Sequence, residues 1–170
     1  MSQDAMSYTF VDSPVGRLML AGTPGAITDL RFMDVAGALQ PEAGWTRSDS
    51  PFADAVRQLR AYFEGKLREF DLTLAPKGTP FQLRVWEALQ AIPYGETISY
   101  SELARRIDNP RAVRAVGAAN GSNPISIIVP CHRVIGSNGS LTGYGGGMKN
   151  KEYLLSLEGA RTLNLIERNR

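Results

Sequence analysis

The sequence predicts an α/β (α+β) protein in two parts, a small N-terminal sheet unit followed by a helical unit. Residues 7–32 hold three short β-rich segments separated by turn residues. From Thr79 onward the chain instead carries helix-capping signals ahead of apolar stripes. Between them APKG, Ala75 to Gly78, reads as a linker, so the units are drawn as residues 1–75 and 79–165.

The N-terminal strands are SYTFVDS, RLMLAG and AITDLRF, with Ser-Pro-Val-Gly and Thr-Pro-Gly turns between them. Residues 34–50 are polar with Gly and Pro, and read as loop. PFADAVRQLRAYFEG has helical spacing, with Pro51 in the first turn and Gly65 past the last. FDLTL is expected as a further strand.

In the second unit, Thr79, Pro80 and Gln82 form a capping box with proline at the first position. Phe81, Val85, Trp86, Leu89 and Ile92 make the buried stripe of that helix. PYGET is a turn, and Ser99 to Glu102 is a second capping box ahead of SELARRI. Asn109-Pro110 is expected to break that helix and cap the next, RAVRAVGAANG. The pair fits a helix-turn-helix, and fits a plain helical hairpin equally well.

The second helix of the pair is rich in small residues, Ala112, Ala115, Gly117, Ala118 and Ala119, with Arg111 and Arg114 projecting. Small side chains let a backbone come close to another surface, which is either a neighbouring helix or a DNA groove. The helix lacks the Asn, Gln and Lys set expected for reading bases in the major groove. ISIIVP, an apolar β-branched run, then leads to Cys131. A glycine-rich stretch, GSNGSLTGYGGG, follows, and NKEYLLSLEG forms a last amphipathic helix ending at Gly159.

Composition narrows the function classes. A 170-residue chain with 43% hydrophobic residues can bury a real core. No apolar run approaches the roughly 20 residues that span a bilayer, and MSQDAMSYTF lacks the pattern of a secretory signal. A single cysteine excludes an intrachain disulfide and fits a reducing cytosol or nucleus. One Cys and one His cannot supply a four-ligand structural zinc site, so no metal is expected. Residues 1–80 carry 8 basic and 10 acidic side chains, residues 81–170 carry 11 and 7. Between Leu103 and Asn150 stand Arg105, Arg106, Arg111, Arg114, Arg133 and Lys149, against the single acid Asp108. Such a field attracts phosphates, or is a solvated basic face.

The only cysteine and the only histidine stand side by side in IIVPCHRVIG, as Cys131 and His132. Pro130 removes a backbone donor just before the thiol. His132 and Arg133 supply cationic neighbours, which favour a thiolate. The glycines that follow can line a pocket with N–H groups. These features point to a nucleophilic cysteine. Hydrolases usually draw Cys and His from distant positions, because neighbours in an extended strand point apart. A redox thiol would need a resolving partner, and the chain has none. What fits best is a cysteine that attacks once and needs no return step.

PCHRVIG, preceded by GSNPISIIV and followed by LTGYGGG, closely resembles the active-site region of the methylated-DNA–protein-cysteine methyltransferases, the alkylguanine-DNA alkyltransferases. VW-ALQ-IPYGET-SY, RAVRAVGAANGSNPI, IIVPCHRVIG, GYGGG and KEYLLSLEG occur in that family's order over roughly residues 80–159. The N-terminal third resembles the family's variable domain only loosely.

The resemblance implies a ribonuclease-H-like β-sheet domain followed by a helical domain with a winged-helix-like helix-turn-helix. It implies direct transfer of the alkyl group from O6-alkylguanine, and more weakly O4-alkylthymine, in double-stranded DNA to the protein's own cysteine. The protein would act once per molecule, without cofactor, after rotating the damaged base out through the minor groove. Carried over, Cys131 is the acceptor, His132 the base acting through a water, Glu158 the residue that orients His132, and Asn123 the support of the active-site turn. Tyr100 and Arg114 match DNA-handling residues, the arginine filling the vacated stack. Val134, Tyr144 and Gly145 match the pocket around the flipped base, and Ser101, Asn109 and Ser137 join the DNA and substrate contacts. Lys151 matches a family lysine, with packing as its expected role. Some relatives bind zinc in the N-terminal domain, and this chain lacks those residues. A cytoplasmic monomer is expected, with cooperative binding along DNA left open. Competing readings are a damage-recognition module without transfer, a transcription regulator and, more distantly, a cysteine hydrolase. The intact PCHRV argues against the first and the small-residue helix against the second.

Overall fold

The computed structural model describes residues 5–139, 144 and 146–160, and the chain divides into two units, Met1–Lys77 and Gly78–Arg170. In the first, β1 (Ser7–Ser13) buries Thr9 and Val11 and leaves Tyr8 and Phe10 half-buried on the other face, the alternation of a strand. β2 (Gly16–Thr23) is buried without interruption from Leu18 to Gly22, as a central strand covered on both faces must be. With β3 (Ala26–Phe32) and β4 (Thr46–Arg47) it forms a sheet of order β3-β2-β1-β4. All pairs are antiparallel except β1–β4. The β2–β3 register shifts at Ala21/Gly22, and a Cβ on Gly22 would lie 2.2 Å from the Ala26 carbonyl oxygen. Only glycine fits that bulge.

β4 corrects the reading of residues 34–50 as loop. Its two residues are held to β1 by Thr46 N–H on the Met6 carbonyl and Ser48 N–H on the Tyr8 carbonyl, both 3.0 Å. Pro51 falls in a 3₁₀ turn, Ser50–Phe52, and α1 runs Ala53–Phe63 with Ala55, Gln58, Leu59 and Tyr62 buried. Gly65, at φ +75°, ends it, with Gly65 N–H on the Tyr62 carbonyl and Lys66 N–H on the Ala61 carbonyl. FDLTL is not the strand expected. The buried Gln58 side chain takes both backbone groups of Asp71, at 2.8 and 3.0 Å, leaving one bridge, between Leu74 and Ile27.

In the second unit α2 (Pro80–Gln90) is capped reciprocally: Gln82 N–H donates to Thr79 Oγ1 and Thr79 N–H to Gln82 Oε1, at 3.1 and 2.9 Å. It buries Val85, Trp86 and Leu89, with Ile92 just beyond and Phe81 half-buried. β5 (Ile98–Ser99), α3 (Tyr100–Arg106), α4 (Val113–Gly121), β6 (Val134–Ile135) and α5 (Met148–Leu157) follow. α4 packs on both α2 and α3, and Trp86 Nε1 donates to the Ala119 carbonyl at 2.8 Å. Two expected caps are corrected. Ser99 Oγ accepts the Glu102 N–H, but the Glu102 carboxylate turns to Arg105 and Arg106, so the expected reciprocal cap gives way to ion pairs. Asn109 does not cap α4, which starts later behind Ala112 with no side-chain cap; its carbonyl holds the Ala112 N–H instead.

Candidate functional site

Residues 125–135 make the site by folding tightly rather than extending. Ile125, Ile127, Ile128 and Val129 are buried, and Ile127 stands at φ +73°, where a β-branched residue is strained. Asn123 clamps this segment at both ends. Its Oδ1 accepts the Ile125 N–H at 3.0 Å and its Nδ2 donates to the Val129 carbonyl at 2.8 Å. Pro130, at φ −82° and ψ 65°, then forms a three-residue turn closed by Cys131 N–H on the Val129 carbonyl. Cys131, His132 and Arg133 follow as one 3₁₀ turn, all buried. The turn answers the objection that neighbours in a strand point apart: this pair is not in a strand.

His132 is fully buried, and its Nε2 lies 2.8 Å from Glu158 Oε2. Glu158 caps α5, which ends in a two-bond Gly159 motif. Its carboxylate also receives Arg133 through two parallel bonds, Nε to Oε1 at 2.8 Å and Nη2 to Oε2 at 2.9 Å. The third edge of that guanidinium donates to the Ile92 carbonyl at 2.7 Å. Burial alone would raise the Glu158 carboxyl; the bonds and charges of His132 and Arg133 overcome it and hold the group at about 2. An ionised carboxylate only accepts, so Nε2 must carry the imidazole proton. Burial pushes the His132 pKa down, against the pull of Glu158, so the ring is neutral. Nδ1 is then a bare lone pair, buried and without a hydrogen-bond partner among the described residues.

Burial pushes the Cys131 thiol up, opposed by contacts from Asn123 and Tyr144 and by the charge of Lys151. Lys151 is fully buried on α5 and donates from Nζ to the Val134 carbonyl at 2.6 Å. Its burial lowers its pKa to about 8, against the attraction of Cys131, so it remains mostly a cation at neutral pH. The thiol is thus held neutral at rest.

The structure brings Cys131, His132, Asn123 and Glu158 into one buried cluster. Two members were not read from the sequence. In sequence Arg133 reads only as a cationic neighbour of the thiol, whereas in the fold it holds Glu158. Asn120, buried on α4, reaches the Cys131 carbonyl with Nδ2 at 3.4 Å. Val134 is buried in β6, whose parallel pairing with β5 (Ile98 with Val134) ties the start of α3 to the Cys131 turn. Tyr100 opens α3, and its ring lies 3.8 Å from where a Gly117 Cβ would stand. Tyr144 is half-buried with its hydroxyl inside. Arg114 is exposed on α4, and Ala115 and Ala118 are exposed with it, so this small-residue face is open rather than packed on a helix. Ser101 and Asn109 are half-buried and Ser137 is exposed, outside the buried cluster. Gly145 lies outside the described residues. Of the basic field, Arg105 and Arg106 pair with Glu102 and Arg133 with Glu158; Arg111, Arg114 and Lys149 have no ion pair among the described residues. Among those residues there is no group of three or more His, Cys, Asp or Glu that could hold a metal, and no helix is long and apolar enough to cross a membrane.

Two family models together span most of the chain. The one described as "6-O-methylguanine DNA methyltransferase, DNA binding domain" matches residues 80–160, and "6-O-methylguanine DNA methyltransferase, ribonuclease-like domain" matches residues 6–76. The chain is 56% identical over 154 residues to a methylated-DNA–protein-cysteine methyltransferase of Mycolicibacterium paratuberculosis, covering 90% of this chain and 92% of that one. It is 52% identical over 155 residues to one of Methanosarcina acetivorans, covering 91% and 99%. The crystal structure of Mycobacterium tuberculosis OGT in complex with DNA superposes with a TM-score of 0.85 at 52% identity, covering 94% of this chain and 99% of that one.

Proposed function

This chain belongs to the methylated-DNA–protein-cysteine methyltransferases, and we propose that it repairs DNA by moving the alkyl group from guanine O6 onto Cys131 Sγ. The observation that supports the residue assignment is the buried His132, next in sequence to Cys131, whose Nε2 proton is committed to Glu158 while Nδ1 is left as an acceptor without a partner among the described residues.

The chemistry follows from this arrangement. His132 Nδ1 takes the thiol proton, directly or through one water. Sγ attacks the carbon attached to O6 in line with the breaking C–O bond. An S–C bond forms, the C–O bonding pair leaves with guanine, and the proton held by His132 passes to the released guanine. The imidazolium formed on the way is stabilised by Glu158, the logic of a catalytic triad. Lys151 places a positive charge where Sγ becomes negative. The product is a thioether. It does not hydrolyse readily, and the sequence has no second cysteine to take the group on, so each molecule acts once.

Residues 79–165 carry the acceptor and the DNA contacts, and residues 1–75 form the accompanying sheet domain. The open face of α4 suits close approach to a minor groove, with Arg114 entering the stack in place of the extruded base; extrusion costs a few kcal/mol. Tyr100, Val134 and Tyr144 serve the pocket for the flipped base, with Ser101, Asn109, Ser137 and Gly145 among the DNA and substrate contacts. The protein works as a monomer, in the cytoplasm, where a lone thiol stays reduced. Thymine O4 is the weaker substrate. The test is the fate of the lesion: a duplex carrying O6-methylguanine, digested to nucleosides after incubation, yields unmodified guanine with the native protein and keeps its lesion with Cys131→Ser. Tight binding with the lesion unchanged by either protein would establish a recognition module instead.

A further inference from the structure

The first unit carries a cleft of about 830 Å³ between β1, the β4–α1 connection and one face of α1. Ala53, Val56 and Ala61 of α1 form its apolar wall, and Arg47, Arg57 and Arg60 project around it. With Arg57 and Arg60 between them, these wall residues lie on a different face from Ala55, Leu59 and Tyr62, which α1 buries in the core. α1 therefore has a second stripe, and it faces the cleft.

The charge of this cleft runs against that of its unit. Residues 1–77 carry 8 basic and 10 acidic side chains, yet three arginines gather here. Arg57 is paired with Asp54. Arg47 and Arg60 have no carboxylate partner among the described residues, and both are exposed. The lining also holds two acids: Asp49, which accepts from the Thr9 hydroxyl and keeps its charge, and Glu64, which pairs with Lys66 at 3.6 Å, so the three arginines still outnumber the acids of the lining. The Arg47 guanidinium lies 5.1 Å from the centre of the Phe10 ring, which also carries Arg17 at 3.8 Å. Stacking uses the face of a guanidinium and leaves its N–H edge free. A free, oriented N–H fork is the group that binds phosphate in two-point fashion.

We propose that this cleft is a second DNA contact, binding backbone phosphates of duplex DNA through Arg47 and Arg60, apart from the helix-turn-helix. The inference rests on the reading of the chain as a DNA repair protein. Its contribution is to hold the protein on DNA without regard to sequence or lesion, because phosphate contacts carry no base information.

Salt dependence tests it with the full-length protein. Binding to a long undamaged duplex is followed by fluorescence anisotropy over a series of salt concentrations, for the native chain, Arg47→Ala/Arg60→Ala and Arg57→Ala. Each phosphate contact contributes about 0.9 to the slope of log K against log salt, so the double variant loses about 1.8. Arg57→Ala, already paired, loses clearly less. Alkyl transfer from a saturating short lesion duplex keeps the native rate in all three, which also shows that they are folded. A double variant with the native slope overturns the proposal. A native protein that transfers alkyl groups while the slopes are equal refutes the cleft alone; one that neither binds DNA nor transfers refutes the reading beneath it as well.

Discussion

Arg133 grips Glu158 through two parallel bonds of 2.8 and 2.9 Å, and one of the gripped oxygens receives His132 Nε2 at 2.8 Å. The His132 ring is therefore aimed by a carboxylate that is itself fixed by a buried guanidinium. Arg133→Lys offers one point of attachment where the fork offered two, and leaves the Ile92 carbonyl or Glu158 short of a donor. Disrupting a buried ion pair costs about 3 kcal/mol or more, so the urea midpoint falls markedly. The transfer rate constant falls with it, measured below saturation of unfolding.

Glu158→Gln separates aim from charge. The amide keeps the shape but can donate as well as accept, so the His132 tautomer is no longer imposed. General-base action contributes on the order of 100-fold or more, and the single-turnover rate constant falls by about that much. Affinity for the lesion duplex, read by anisotropy, stays near native, because Glu158 is buried.

Stability falls as the solution is acidified. The Glu158 pKa is lowered from 4.5 to about 2, so its contribution is complete above about 4.5 and is lost as pH falls toward 2. His132 is also shifted down, from 6.5, so the folded state loses stability as pH falls from 6.5 toward the shifted value. Both groups bind more protons when unfolded, which gives the same sign. The shift of Glu158 corresponds to roughly 3 kcal/mol. Urea midpoints from pH 7 down to pH 3 decline in the native protein, and decline less in Glu158→Gln.

Lys151→Met removes the cation beside the thiol while filling its volume. Transfer slows by about tenfold for each 1.4 kcal/mol of lost thiolate stabilisation, and raising the pH restores part of the rate by ionising Cys131 directly. Single-turnover rates at pH 7 and pH 9 check this; a variant with the native rate at both would remove Lys151 from the chemistry.

Arg114→Ala separates extrusion from transfer. The side chain is exposed and touches none of the buried cluster, so stability is unchanged. Losing the wedge exposes the few kcal/mol of extrusion cost, and transfer from duplex DNA falls by about 10-fold to 100-fold. Transfer from the same lesion in a single strand, which has no stack to leave, falls much less.

The parts legible in the sequence are those governed by local physics. β1 and β3 follow from alternation and turn residues, and α2 from its reciprocal cap. Two-residue β4 carries no period to read, and FDLTL has strand composition but loses its backbone partners to Gln58, a side chain 13 residues away. Cys131 and His132 announce themselves by adjacency. Glu158 lies 26 residues from His132, and its partnership is a product of the fold, reached in sequence only through family resemblance. Arg133 misleads for the same reason. Beside a thiol in sequence, its guanidinium is turned by the 3₁₀ turn toward Glu158 and Ile92.

The central claim is that Cys131 accepts the alkyl group once and keeps it. Intact-protein mass after incubation with excess duplex containing one O6-methylguanine tests it directly, beside Cys131→Ser. The expected outcome is a gain of one methyl group, a plateau at one per protein molecule, and no gain in the variant. An unchanged mass while lesions disappear, or lesions cleared well beyond one per protein, would contradict it.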